Sequence, residues 1–281
     1  MKKILAVSGG IDSVVMLHLF RNDPDTIVAH FDHGIRPSSA DDCAFVGKLA
    51  KEYGKPFFSK GAHLGSDASE EAARRARYDF LFELAHEQNG KVYTAHHSDD
   101  LVESVIINLL RGTGWRGLAA LNNKRIERPL LDWSKHDIYK YAIDNNLHFR
   151  LDQSNSDDKY LRNRVRERLR NVSEEQKREL KKLALRQREI SNEVDDINNE
   201  LQLENVCPRT MMDLDNDIAQ EILRFLLARA GISQTRPQLK RAIEAIREYA
   251  PNKKFPLNKD YYIKIGRYNF RIESAKIATE A

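Results

Sequence analysis

Ser8-Gly9-Gly10-Ile11-Asp12-Ser13 follows directly on the apolar run Ile4-Leu5-Ala6-Val7, and this junction constrains the chain more than any other segment. Four apolar residues that break into two glycines and then resume a helical pattern predict a strand, a tight turn and a helix. Such a turn aims several backbone N–H groups at one point, where the helix start adds partial positive charge. Ser8 and Ser13 add hydroxyl donors. Asp12 suits an anion site only where magnesium bridges its carboxylate to phosphates, so the string reads as a metal–nucleotide cradle. Taken alone, the string fits a second reading equally well, a plain glycine turn with Asp12 and Ser13 as helix caps. This turn carries neither a Walker lysine nor the GxGxxG spacing, which excludes the ordinary P-loop and the dinucleotide fingerprint here.

Further β-like runs at residues 26–31, 56–58 and 91–95 alternate with helical patterns. Phe45, Val46, Leu49 and Tyr53 recur at helical spacing before Gly54, with Ser39, Asp41 and Asp42 as start signals. Another helix follows Ser69 and ends near Asn89-Gly90. Leu101, Val102, Val105, Ile106, Leu109 and Leu110 form a stripe of helical period after Asp99. The alternation predicts an α/β fold with a parallel sheet, and ligands of such sheets bind at the carboxyl ends of the strands.

Beyond residue 172 the pattern changes. Ser173 and Gln176 have capping-box spacing, and Leu183, Ile190 and Ile197 lie seven apart, with Val194 and Leu201 extending the stripe. Residues 173–205 are therefore expected to form a long connecting helix, packed on the first domain or on a partner helix. Residues 206–281 predict a smaller, mainly helical domain. One helix carries Ile218, Ile222, Phe225 and Leu226 and ends at Gly231; the next carries Leu239, Ala242, Ile243 and Ile246 before Pro251. A terminal β-hairpin of residues 261–265 and 268–272 turns at Gly266-Arg267.

Hydrophobic residues at 41% and charged residues at 31% suit a soluble globular protein rather than a disordered one, and a net charge of +4 does not select a partner. Only Cys43 and Cys207 occur, without CxxC spacing, so no disulfide framework, zinc site or iron–sulfur site is expected. Lys2 and Lys3 before Ile4 imitate a signal peptide until Ser8 cuts the apolar run short, and no stretch reaches membrane-spanning length. A cytoplasmic protein with no membrane partner is expected.

The string SGGIDS resembles the PP-loop of ATP pyrophosphatases, the adenine nucleotide alpha hydrolase-like fold, and the likeness extends along residues 3–170 to the tRNA(Ile)-lysidine synthetases. It runs through His30-Phe31-Asp32-His33-Gly34-Ile35-Arg36, Glu71-Ala72-Ala73-Arg74-Arg75-Ala76-Arg77-Tyr78, and the segment from Thr94-Ala95-His96-His97-Ser98 to Glu103-Ser104. It continues through Leu110-Arg111-Gly112-Thr113-Gly114, Arg128-Pro129-Leu130-Leu131, Asp152-Gln153-Ser154-Asn155 and Tyr160-Leu161-Arg162-Asn163-Arg164-Val165-Arg166. The joint order of these motifs is far more specific than any one of them. Ser104 stands where the family often has threonine.

The resemblance implies ATP-dependent joining of free L-lysine to C2 of the wobble cytidine in an isoleucine tRNA with a CAU anticodon, so that AUA is read in place of AUG. ATP and Mg2+ are the implied cofactors, and a homodimer is compatible with the family. Ser8, Gly9, Gly10, Asp12, Ser13, Arg74, Gly112 and Gly114 are expected at the nucleotide, with Asp12 also holding magnesium. Asp12, His96, Arg77 and Arg162 are the expected catalytic groups, Asp100 and Glu103 the receptors for the lysine ammonium, and Arg111, Arg164 and Arg166 the tRNA contacts. Longer family members carry a further tRNA-contacting domain, so the helices after residue 173 are expected to carry more of the recognition.

Plainer readings accompany each assignment. Arg74 and Arg77, three apart, also suit a solvated helix face paired with Glu70 or Glu71; Asp99 and Asp100 suit helix-dipole stabilisation; His96 and His97 suit ordinary loop residues. Three other functions compete. A metal-dependent phosphoesterase would use Asp32-His33 and the His-His-x-Asp-Asp run, but leaves SGGIDS unexplained. A PP-loop tRNA thiolase would need reactive cysteines, whereas Cys43 falls in an amphipathic helix and Cys207 in a loop. A non-catalytic tRNA-binding module would use the basic tail around Tyr261, Tyr262 and Tyr268.

Overall fold

Ile4 and Leu5 are consecutive and both completely buried, which a strand allows only when both of its faces are covered. That strand, β1 (Lys2–Ala6), is central in a five-stranded sheet of order β3-β2-β1-β4-β5, with β2 Thr26–Asp32, β3 Phe57–Gly61, β4 Gly90–Tyr93 and β5 Ile126–Glu127. Every pairing is parallel. Leu5 and Val28 pack on one face with Val15 and Met16 of α1 (Ile11–Leu19), Val46 and Ala50 of α2 (Ser39–Glu52) and Ile138 of α6 (Lys135–Asp144). Ile4, Ile27 and Val92 pack on the other with Phe80, Leu81 and Leu84 of α3 (Glu70–Glu87). Each of these side chains other than Ala50 contributes about 1.5–3 kcal/mol by leaving water.

The computed structural model describes residues 1–32, 39–61, 70–150, 161–200 and 206–275. His33–Arg36, Ser69, Asp152-Gln153-Ser154-Asn155, Tyr160 and Leu201, and the side chains of Ser39, Glu70 and Glu71, lie outside that description. The chain divides into two units, Met1–Arg188 and Glu189–Ala281. Among the described residues no helix is long and apolar enough to cross a membrane.

The chain winds outward from β1 through β2 to β3 and then returns to β4 on the other side of β1. That reversal opens a crevice at the carboxyl ends of β1 and β4, the usual ligand position in such sheets. β1 delivers the Gly9-Gly10 loop there, and its neighbour β4 delivers residues Thr94 to His97 and the start of α4 (Ser98–Leu110). Leu101 and Val105 of α4 pack with Ala120 and with Ala184 of a long helix, α8 (Glu174–Glu200). Val102 and Ile107 pack with Val165 and Leu169 of α7 (Leu161–Leu169). A four-residue helix, α5 (Trp115–Leu118), follows α4.

Several expectations are corrected. The α4 stripe does not stay inside to its end: Leu109 and Leu110 are 49% and 63% exposed. In α8 the Ser173 and Gln176 capping box forms, but the buried positions are Ala184, Ser191 and Asn198, while Leu183 and Ile197 one residue before them are exposed. The terminal hairpin is half of a four-stranded antiparallel sheet, ordered β6-β9-β8-β7, with β6 Val206–Pro208, β7 Lys254–Pro256, β8 Tyr261–Ile265 and β9 Asn269–Ser274. Cys207 is accordingly a fully buried strand residue rather than a loop thiol. Its sheet packs on α9 (Asn216–Arg229) and α10 (Arg236–Glu248) through Leu223, Leu227, Leu239, Ile243, Ile263 and Phe270.

Candidate active site

Val7 extends the β1 ladder by donating to the Ala29 carbonyl at 2.9 Å, and the chain then turns through Gly9 at φ +92°. Only glycine adopts this conformation without strain, and a Cβ there would meet Phe45 at 3.4 Å and Val46 at 3.5 Å. The Ser13 hydroxyl accepts from the N–H groups of Ser8 and Gly9 at 3.2 Å and donates to the Gly10 carbonyl at 2.8 Å. One hydroxyl oxygen thus stands where a phosphate oxygen would meet the same N–H groups. Ser8, Gly9, Gly10 and Ser13 are brought together as expected, and the N–H of Arg150 fastens the loop by donating to the Gly9 carbonyl at 2.9 Å.

Asp12 follows in the first turn of α1. Its Oδ1 pairs with the Lys135 Nζ at 2.5 Å and lies 3.9 Å from the His97 Nε2. His97 Nε2 is 3.4 Å from Asp100 Oδ2, and its Nδ1 is 3.6 Å from Asp99 Oδ2. His97 is buried, and its Nδ1 makes no hydrogen bond. Asp99 accepts the backbone N–H of Lys135 at 2.8 Å, and Ser98 donates its N–H to the Trp133 carbonyl at 2.9 Å, so the start of α6 is bolted to the start of α4. His97 and Lys135 are the two groups that sequence reasoning gave no definite role. A histidine next to two acids is a signal it held; Lys135, 123 positions from Asp12, offered none.

These residues fit a magnesium ion that arrives with a nucleotide. Asp12 already holds a cationic group, and one carboxylate at a phosphate loop is the usual protein share of such a site. Among the described residues no three His, Cys, Asp or Glu side chains gather as ligands of a resident metal. His33, part of the phosphoesterase reading, lies outside the described residues.

Glu103 is not an open receptor. It is 3% exposed, and Arg166 holds both of its oxygens, Nε to Oε1 at 2.7 Å and an NH2 nitrogen to Oε2 at 3.1 Å; Arg162 Nε lies 3.8 Å from Oε2. A buried carboxylate needs such a partner, so this pair speaks against Glu103 as an open ammonium receptor and gives Arg166 a partner within the protein. The Glu103 hydrogen bond raises the Arg166 pKa. Burial pushes the Asp100 carboxyl up, but His97, His96 and the His97 N–H outweigh it, leaving its pKa below the ordinary value.

Arg74 and Arg77 share one helix face, both stacked against the Tyr78 ring with guanidinium carbons 4.9 and 5.2 Å from its centroid. Burial lowers the Arg77 pKa, and Arg74 and Arg162 add like charge. Arg128 joins this cationic wall; its Nε is buried without a hydrogen bond. Such clustering is unfavourable until an anion arrives. His96 accompanies the wall, its Nδ1 2.8 Å from the Thr94 hydroxyl. Burial holds its pKa down at about 4, with Arg128, Arg77 and Arg74 also lowering it, so the imidazole is neutral at pH 7.

Four of the expected site residues stand apart from this centre. Gly112 and Gly114 follow the far end of α4, whose residues from Asp99 to Leu110 rise about 17 Å, so the structure does not bring them to the phosphate loop. Arg111 lies at that same far end and is exposed, as is Arg164 on α7. Cys43 is partly exposed on α2. Burial pushes the Cys207 thiol up to about 11, which makes it a core residue rather than a nucleophile.

A family profile described as a PP-loop domain matches residues 1–173. The tRNA(Ile)-lysidine synthase of Thermotoga maritima is 38% identical over 180 residues, covering 59% of this chain and 44% of that protein. The tRNA(Ile)-lysidine synthase of Porphyromonas gingivalis is 36% identical over 198 residues, covering 66% and 44%. The chain thus spans less than half the length of these relatives. Among solved structures, a U34-tRNA thiolase from Methanococcus maripaludis superposes with a TM-score of 0.55 at 19% identity, over 67% of this chain and 72% of that one, a likeness of fold. The glycine loop at the sheet's switch point and the profile match across 1–173 together make the chain a member of the PP-loop domain family.

Proposed function

We propose that this chain ligates lysine to C2 of the wobble cytidine of an isoleucine tRNA with a CAU anticodon, using ATP. The observation that carries the reading is the convergence of Asp12 and Asp100 on the Nε2 of His97, at 3.9 and 3.4 Å. It sets an acid of the phosphate loop and an acid suited to an ammonium ion beside the same ring nitrogen. The names of the relatives supply the isoleucine tRNA and the lysidine product of the proposal; lysine, the CAU anticodon and the wobble cytidine come from the resemblance of the motifs.

In the first step cytosine O2 attacks the α-phosphorus of ATP and pyrophosphate leaves. In the second, the lysine Nζ attacks C2, the C2–O bond breaks, AMP departs and the amine loses a proton. The N–H groups of Ser8, Gly9 and Gly10 with the Ser8 and Ser13 hydroxyls hold the phosphates. Arg74, Arg77 and Arg162 oppose the charge that develops at the α-phosphorus. Asp100 receives the lysine ammonium, and Glu103 acts by holding Arg166 beside it. Neutral His96 is poised to accept the proton that the attacking amine releases. Magnesium, when bound, would neutralise triphosphate charge, and Asp12 would hold it. Residues 1–172 carry this chemistry, 173–205 connect, and 206–281 with Arg111 and Arg164 contact tRNA.

The test is incubation with ATP, magnesium, lysine and an isoleucine tRNA transcript bearing the CAU anticodon, followed by mass spectrometry of the nucleosides. One lysine-modified cytidine is expected. Consumption of ATP with an unchanged cytidine would sink the lysine assignment while leaving the nucleotide site standing.

A further inference from the structure

Lys135 occupies a position that helix stability does not explain. It is the first residue of α6, after the Ser134 N-cap, where the helix dipole disfavours a cation. Its Nζ then reaches the first turn of α1, a second positive helix end, and there it has Asp12 Oδ1 at 2.5 Å. An ammonium held by one carboxylate thus bridges two helix starts, at the acid of the phosphate loop. The arm's root does not depend on that contact. The Lys135 backbone N–H is fixed on Asp99 at 2.8 Å, the Ser134–Asp137 capping box sets the helix start, and the Trp133 carbonyl is held by Ser98.

We infer that Lys135 is the resident cation of Asp12 in the nucleotide-free protein, and that it exchanges this acid for an oxygen of the ATP triphosphate when metal and nucleotide enter together. Resting on the ATP reading proposed above, this adds a nucleotide-binding residue and an order of binding. The ammonium keeps a divalent ion off Asp12 until a polyphosphate offers it a new partner. A triphosphate supplies negative charge to both helix starts, to the N–H loop and, once the metal has taken Asp12, to Lys135, so the exchange leaves each cationic group opposite an anionic one.

Mn2+ serves as the probe, its binding followed by electron paramagnetic resonance on the whole chain with and without ATP. Wild type is expected to bind Mn2+ weakly alone and firmly with ATP. Lys135→Met should bind Mn2+ without ATP about tenfold more tightly, and should bind metal-free ATP about tenfold more weakly in equilibrium dialysis. Lys135→Arg, which keeps the charge, should stay near wild type in the Mn2+ titration, and Asp12→Asn should lose Mn2+ in either background. Equal Mn2+ affinity of nucleotide-free wild type and Lys135→Met, with ATP still recruiting Mn2+ to both, would overturn the role of Lys135 and spare the nucleotide site. Failure of ATP to recruit Mn2+ to the wild type would bring down the nucleotide reading and this inference with it. Circular dichroism shows whether the methionine variant is folded; if it is not, wild-type Mn2+ affinity below that of a folded Lys135→Gln variant supports the inference, and equality overturns it.

Discussion

Removing the Arg166 guanidinium leaves the Glu103 carboxylate charged and inside the protein, which makes this pair the sharpest place to perturb the site. The contact is bidentate, at 2.7 and 3.1 Å, and the Glu103 side chain is 4% exposed against 36% for Arg166. Two unit charges about 4 Å apart attract by about 4 kcal/mol at the effective dielectric of a protein surface. Breaking a fully buried pair costs about 3–5 kcal/mol. Because Arg166 is partly exposed, solvent screening brings the expectation for Arg166→Met down to about 2–4 kcal/mol. For a unit of this size that lowers Tm by about 4–16 °C. Glu103→Gln should cost less, since a neutral amide still accepts one hydrogen bond and strands no buried charge. The double variant should recover part of the loss, with a coupling of about 2 kcal/mol.

Urea unfolding followed by tryptophan fluorescence measures the effect where it arises, because both tryptophans of the chain, Trp115 and Trp133, lie in the N-terminal unit. A coupling below about 0.5 kcal/mol would mean that the two side chains do not act as a pair. A Glu103→Gln protein of unchanged stability that loses only lysine affinity would restore Glu103 as the direct ammonium receptor and refute its assignment to Arg166.

Gly9→Ala should cost about 1–2 kcal/mol from the left-handed backbone alone, and should weaken ATP binding; wild-type ATP affinity in a folded variant would contradict the loop assignment. His96 has a folded pKa of about 4 against 6.5 ordinarily, so the unfolded chain takes its proton first. Its contribution to stability is complete above pH 6.5 and is lost as pH falls toward 4; His96→Asn should flatten the Tm profile across that window, and an unchanged slope would show that the imidazole is not the titrating group. Cys43→Ser combined with Cys207→Ala should retain lysine ligation, alanine being used because a hydroxyl would be buried without a partner at position 207; loss of turnover in the folded double variant would favour thiol chemistry.

The β1 loop was readable because its determinants are local: an apolar strand, glycine at a positive φ, hydroxyls and an acid within six residues. The α/β alternation was readable for the same reason, since each helix and strand carries its own period. The short strands were not. β5 has two residues, and β6 and β7 three each, so they exist because a sheet edge already stands beside them, and their own residues show too little alternation to announce a strand. The α8 stripe misled by one position because Ala184, Ser191 and Asn198 are small or polar, whereas hydrophobic periodicity selects the large neighbours that remain exposed.

At the candidate site the distinction is between residue type and residue partner. The segment from His96 to Glu103 showed acids and imidazoles at a helix start, and the structure keeps them there. What it could not show is that Glu103 is held by Arg166, 63 positions away, and that Asp12 meets Lys135 across 123. These pairings arise from one topological fact, the return of the chain from β3 to β4 beside β1, which brings the start of α4 to the phosphate loop and lets α6 follow it. An acid and a cation far apart in sequence carry no mutual signal until that reversal is known. The pairings matter chemically because a carboxylate already neutralised by a side chain is a different reagent from a free one: Glu103 positions a guanidinium, while Asp12 holds an ammonium only until a better cation comes with its phosphates.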